Sequence, residues 1–318
     1  MLGRTLGRFT ITAPLGEGGI ATVWKATDGL LGRTVAVKVL RPEYAHDRKA
    51  RLRFLREAQN HASLDHPGVV AVLDYGECGD MVYLALALIE GRTVTARVKE
   101  GLLPIAEAVR VAAAASDALA AAHGRVPPLV HRDITGNNVM IADDGRVLVL
   151  DFGLAVVAGR TRFTSTGRVI GTPAYVAPEL IEGAEPTPRS DVFSLGVLAY
   201  ELLASDVPFA IEHPDMAAMA SMQTPRPLRA LRPDASPGLE AVVMRAIARA
   251  PLERFADAGA LRDALAPWQA AATVVASDAP ARAGAPAPNL LAQRTEPVHG
   301  APRFVVVAPF APPAPAAD

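Results

Sequence analysis

The 318-residue sequence predicts an α+β fold. Three stretches carry the prediction. "TVAVKVL" (34–40) is β-branched at alternate positions, as a strand requires. "RKARLRFLREAQNHASLDHP" (48–67) has helical spacing, with Leu52, Leu55 and Ala58 on one stripe and Pro67 closing it. An Ala-rich run at 105–123 reads as a second helix, and short apolar strands follow it.

Ahead of the first strand pair stands "LGEGGIATVW" (15–24). Gly16, Gly18 and Ala21 fit the glycine turn of a dinucleotide site, and the same residues fit a glycine-rich flap over ATP phosphates. Both uses need glycine because a backbone without Cβ can approach a phosphate closely. The next residues separate them. A dinucleotide fold requires a helix after the glycines, whereas "TVWKA", "DG" and "TVAVKVL" read as strand, turn and strand. The acidic residue expected about 20 positions further on is also missing, and Lys38 occupies that region. The dinucleotide reading fails.

Lys38 sits among Ala36, Val37 and Val39, which imply a strand covered on both faces. An unpaired ammonium there is costly, so the lysine requires an anion: a phosphate, with a carboxylate to hold the side chain in place. Glu57 lies at the centre of the 48–66 helix beside its apolar stripe, although by itself it reads as one of several solvated charges. In the second half, "LVHRDITGNNVMI" and "RVLVLDFGLA" place Asp133, Asn138 and Asp151 beside short apolar strands. These are bases or hard oxygen ligands. Mg2+ uses such donors sparingly, one or two from the protein with the rest from substrate phosphates. Phosphoryl transfer needs mainly positioning and charge neutralisation.

Composition excludes other classes. A net charge of −1 lacks the basic excess of a nucleic-acid binder. One cysteine, Cys78 in the turn-like "YGECGDMVY", allows neither an internal disulfide framework nor a Cys-rich zinc site, and it reads as an inert thiol in a reducing compartment. "MLGRTLGRFT" has no apolar core of a secretory signal. The longest apolar runs, "VYLALALI" and "VLAYELLA", fall short of the roughly 18–20 residues that span a bilayer. They read as a core strand and a core helix. A cytoplasmic protein without a membrane span is expected. From Trp268 to Asp318 the chain is dominated by Ala and Pro, which predicts a disordered tail.

"GEGGIATV", "VAVK", "HRDITGNN", "DFG" and "VAPE" stand in the order and spacing of the protein-kinase signature set. Over roughly residues 8–267 the chain resembles the bacterial eukaryotic-like serine/threonine protein kinases, most closely in "FLREAQNHASLDHPGVV" and "VIGTPAYVAPE". The resemblance implies a two-lobed protein-kinase fold: a small antiparallel β lobe with one main helix (8–90), a larger, mainly helical lobe (91–267), and the tail (268–318). It implies ATP with Mg2+, or Mn2+ in its place, protein substrates, autophosphorylation, and a homodimer formed through the small lobe.

Carried over by position, Gly16, Gly18 and Gly19 form the phosphate flap. Lys38 contacts the α/β-phosphates and is held by Glu57, Asp133 accepts the substrate hydroxyl proton, and Asn138 and Asp151 hold the metal. Leu15, Val23, Ala36, Met140 and Leu150 sandwich adenine, with Leu86 as gatekeeper and the backbone of Ala87 and Ile89 as hinge. Glu179 pairs with Arg254, and Asp191 braces the catalytic loop.

Departures accompany these matches. Thr135 replaces a lysine that meets the γ-phosphate; losing one such donor costs on the order of 10²-fold. Gly136 replaces the usual proline and is expected to loosen the loop. His61 stands where an apolar residue is usual, and a partly exposed histidine is expected there. Thr161, Thr164, Ser165 and Thr166 lie in the loop that Arg132 would bind once phosphorylated, with Thr166 favoured; Thr172 in "GTPAY" marks a serine/threonine substrate loop. A pseudokinase scaffold is the rival that Thr135 and Gly136 favour, and the intact Lys38, Glu57, Asp133, Asn138 and Asp151 oppose it. A small-molecule kinase of related fold is opposed by the peptide-substrate loop.

Overall fold

The period-two patterning ahead of Glu90 becomes one antiparallel sheet in the computed structural model, which describes residues 1–152, 173–209 and 223–269. Its strands are β1 (Thr5–Leu6), β2 (Phe9–Glu17), β3 (Ala21–Asp28), β4 (Thr34–Leu40), β5 (Val72–Cys78) and β6 (Met81–Ala87). They lie in the order β1-β2-β3-β4-β6-β5. Between β4 and β5 run a short helix α1 (Pro42–Ala45) and the main helix α2 (Arg48–Ala62). Alternation on β4 sends Val35, Val37 and Val39 into a core with Phe9, Ile11 and Ala85, while Leu40 joins a second core with Phe54, Leu84 and Leu86. Lys38 belongs to the second face, between two apolar layers, as its neighbours required.

Helix α2 is capped by Asp47, whose side chain accepts from the Lys49 N–H (2.9 Å). Its buried face differs from the expected Leu52–Leu55–Ala58 stripe: Ala50, Phe54, Ala58 and His61 face inward, and Leu52 is 47% exposed. Phe54 takes the core position because small alanines four residues to either side let the helix approach the sheet. His61 is correspondingly not partly exposed but buried, at 1%.

The second lobe contains the β7 (Gly91–Thr93), β8 (Val139–Ala142) and β9 (Val147–Val149) sheet and helices α3 (Val94–Lys99), α4 (Ile105–His123), α5 (Pro178–Ile181), α6 (Pro188–Ala204), α7 (Leu228–Leu231), α8 (Pro237–Ala246) and α9 (Ala258–Gln269). The alanines of α4 keep its surface small, so α6 and α9 pack against it around one core. Helix α6 starts in a capping box between Thr187 and Ser190 and is buried on almost every side, as befits the central strut of the lobe. Helix α9 runs to Gln269: the Trp268 indole N–H donates to Ser236 Oγ (2.8 Å) and the ring packs on the core. The boundary expected at 267 therefore falls inside this helix, and 270–318 lie outside the described residues. Among the described residues no helix is long and apolar enough to cross a membrane.

Candidate active site

The loop between α4 and β8 carries Asp133 and Asn138, and one buried carboxylate shapes it. Asp191, at the start of α6 and 1% exposed, accepts from the backbone N–H groups of His131 (2.6 Å) and Arg132 (2.9 Å) and from His123 Nε2 (3.0 Å). Burial works against its charge, but His123 and those backbone donors outweigh it and hold the carboxyl below its ordinary value. The grip forces Arg132 into the left-handed region (φ 71°), a strained conformation for a residue with a Cβ. Asn138 donates through Nδ2 to the Asp133 carbonyl (2.7 Å) and to its carboxylate (3.0 Å), orienting that side chain.

His131 joins this loop to the segment after β9. Its Nε2 donates to the Leu150 carbonyl (2.7 Å) and its Nδ1 accepts from the Asp133 N–H (3.2 Å). The Leu150 N–H in turn donates to the Asn138 carbonyl (2.9 Å). Asp151 follows with φ 57° and Phe152 is buried, its ring 4.6 Å from His131 and 5.5 Å from His61. Motif spacing singles out neither histidine for this stacking. His61 makes no hydrogen bond of good geometry through either ring nitrogen, although the Val70 backbone approaches it. Burial pushes its pKa down to about 4; Asp151 favours the proton, while His131 and Lys38 oppose it.

Lys38 corrects an expectation. Lys38 Nζ pairs with Asp151 Oδ2 at 2.7 Å, and the expected Lys38–Glu57 pair is not formed. Burial opposes the charge of Asp151, and the adjacent ammonium restores it, so the carboxyl lies below its usual value. Glu57 is half-buried on α2; burial raises its pKa, and the charge it feels most is that of Arg132. The physical reason is reach: a flexible lysine stem takes the ionised carboxylate nearest its tip, and the placement of α2 decides whether Glu57 is that carboxylate.

The adenine set converges from two lobes. Leu86, Met140 and Leu150 belong to one buried cluster, with Ala36, Ala87 and Ile89 packed against it. Ala87 spends its N–H on the Ala71 carbonyl (3.0 Å), so its contact with adenine would go through its own carbonyl. Leu15 is buried on β2, and Val23 on β3 is paired with Lys38 across the ladder. Gly16 faces Val23 in the ladder, and the hairpin tip is closed by the Gly18 N–H donating to the Ala21 carbonyl (2.8 Å). A Cβ on Gly18 would stand 3.1 Å from that carbonyl, while one on Gly19 would meet nothing within 4 Å, leaving room above the tip for a phosphate.

Two hard oxygen donors fit a divalent cation here: the ionised Asp151 carboxylate and Asn138 Oδ1, left as an acceptor because Nδ2 donates to Asp133. Among the described residues no group of three or more His, Cys, Asp or Glu side chains could hold a metal. Away from the chemistry, Glu179 and Arg254 form the expected pair, bidentate at 2.8 Å through each terminal guanidinium nitrogen, with Arg254 over the Phe193 ring. The residues Arg160, Thr161, Arg162, Thr164, Ser165, Thr166, Arg168 and Thr172 lie outside the described residues.

The model of the protein kinase domain matches residues 9–261. Among curated relatives, the serine/threonine-protein kinase PrkC of Bacillus subtilis is 36% identical over 254 residues, covering 79% of this chain and 39% of the relative. PknA of Mycobacterium tuberculosis is 36% identical over 266 residues, covering 82% of this chain and 61% of the relative. This chain thus spans less than two thirds of the length of either relative. Among solved structures, the kinase domain of Mycobacterium tuberculosis PknI superposes with a TM-score of 0.67 at 30% identity, over 84% of this chain and 99% of that one.

Proposed function

The chain belongs to the protein kinase family, in its bacterial eukaryotic-like serine/threonine branch, and from that membership we propose that it transfers the ATP γ-phosphate to Ser and Thr hydroxyls of protein substrates, including its own activation loop. The observation that carries the reading is the braced loop. Asp133, steadied by Asn138 and hung from Asp191 through the backbone of its neighbours, is oriented to accept the proton of an incoming hydroxyl.

Lys38 supplies the cation for the α/β-phosphates, and in doing so it exchanges Asp151 for phosphate and Glu57. Asp151 and Asn138 would hold Mg2+ or Mn2+, which when bound neutralises phosphate charge. The glycines of the flap and the apolar set from Leu15 to Leu150 hold and desolvate the nucleotide. The domain works in the cytoplasm, where ATP is supplied, and pairs through its small lobe.

A pseudokinase scaffold draws support from one further observation, the engagement of Lys38 with Asp151 instead of Glu57. Transfer of radiolabelled phosphate separates the two readings. Lys38→Met and Asp133→Asn are each expected to lower transfer by about 10²-fold or more, with mass spectrometry of the wild-type product finding phosphate on Thr166. A wild-type protein no faster than Asp133→Asn would establish the scaffold.

A further inference from the structure

Gly136 was expected to loosen the catalytic loop, yet its surroundings are tight. Its backbone is outside the left-handed region, so torsion does not require glycine there. Space does. A Cβ at this position would stand 2.5 Å from Thr95 Oγ1, 2.9 Å from Glu201 Oε2 and 3.1 Å from the Thr95 nitrogen. Both backbone groups are also held: the Gly136 carbonyl accepts from the Thr95 N–H (3.0 Å), and the Gly136 N–H donates to the Tyr175 hydroxyl (3.2 Å), which donates to the Glu201 carboxylate.

The donor on Thr95 is available for a simple reason. Thr93 caps α3 by accepting from the Ala96 N–H (3.2 Å), which leaves Thr95 with a first-turn N–H that has no partner inside the helix. A proline at 136 would remove the N–H that meets Tyr175, and any side chain would drive α3 from the loop. The Asn138 N–H donates to the Thr135 carbonyl (3.0 Å), so displacement at 136 is transmitted to the asparagine that orients Asp133.

We propose that Thr95 is a positioning residue for phosphoryl transfer: with Gly136 it forms a close-packed joint between α3 and the catalytic loop that takes over the task of the missing proline. This rests on the phosphotransfer reading above. Glu201, a lone carboxylate in the apolar run "VLAYELLA", and Tyr175 close the joint from α6 and the substrate-loop side.

The test is steady-state kinetics with ATP and casein on the full chain, alongside thermal melting. Gly136→Ala is expected to lower kcat about tenfold or more, with KM for ATP within about twofold because the adenine pocket is untouched. Thr95→Ala alone should cost about threefold or less, and adding it to Gly136→Ala should restore most of kcat, as coupled neighbours do. A Gly136→Ala enzyme with wild-type kcat, or a double variant as slow as Gly136→Ala, overturns the proposal. Should Gly136→Ala fail to fold, Thr95→Pro removes the shared N–H together with the threonine hydroxyl, for which Thr95→Ala is the control, at a first-turn position where proline is tolerated. A reduced kcat with unchanged KM and melting temperature then supports the joint, and an unchanged kcat overturns it. A wild-type enzyme without transfer would refute the phosphotransfer reading itself.

Discussion

Two charged centres of this molecule are built to different standards. In the large lobe Asp191 is almost inaccessible and gathers two backbone donors and a histidine, while Glu179 meets Arg254 through both guanidinium nitrogens. In the small lobe Lys38 has, among the described residues, a single carboxylate partner, on the segment after β9, and Glu57 is left half-buried with its charge disfavoured. The difference lies in what carries the charges. The large-lobe carboxylates grip backbone and a planar guanidinium fixed by packed helices. The small-lobe pair depends on one flexible ammonium choosing between carboxylates on separate elements. The first centre is preassembled scaffold, and the second is where a two-state rearrangement costs little.

The largest effect on stability should come from breaking the scaffold. Arg254→Met takes the guanidinium from the Glu179 carboxylate, which keeps the Ser190 hydroxyl (3.0 Å), and from the carbonyls of Arg189, Ala248 and Arg249. Unfolding free energy by urea denaturation should fall by about 3–5 kcal/mol. Loss of less than about 1 kcal/mol would make the pair as dispensable as an exposed one.

A comparable effect, confined to acid, belongs to His61, which sits between the two centres. Its pKa is depressed to about 4 in the fold from an ordinary 6.5, so between those values the unfolded chain binds the extra proton. Its contribution is complete above pH 6.5 and is lost as pH falls toward 4, by about 3 kcal/mol in all. His61→Leu also removes two buried ring nitrogens that lack hydrogen bonds. It should match or exceed the wild type at pH 7 and lose less stability on acidification to pH 4.5, measured as the difference in urea midpoint. Parallel pH profiles for the two proteins would deny the histidine this role.

The smallest stability change is expected at Glu57. Because burial already disfavours its charge, Glu57→Gln should shift unfolding by about 1 kcal/mol or less, while phosphate transfer falls about tenfold or more as Lys38 loses the anchor proposed for it once nucleotide is bound. Full activity in Glu57→Gln would mean that the lysine keeps Asp151 as its partner throughout.

Much of this was legible from sequence because it is local. The strand after the glycines, the two-faced burial of Lys38 and the bounds of α4 follow from period and residue type, since alternation and helical spacing act over a few residues. The resemblance supplied Asp191 and the Glu179–Arg254 pair by position. Other features required the assembled molecule. Phe54 rather than Leu52 turns inward because the sheet selects the face of α2; His61 is buried because Phe152 arrives from another lobe; and Gly136 is tight because α3 and α6 converge on it. The partner of Lys38 is of the same kind. The sequence by itself determined that a buried lysine must meet an anion, because desolvated charge demands it. Only the tertiary structure decided that the anion is Asp151, because distances between elements far apart in the chain are set by how the cores pack.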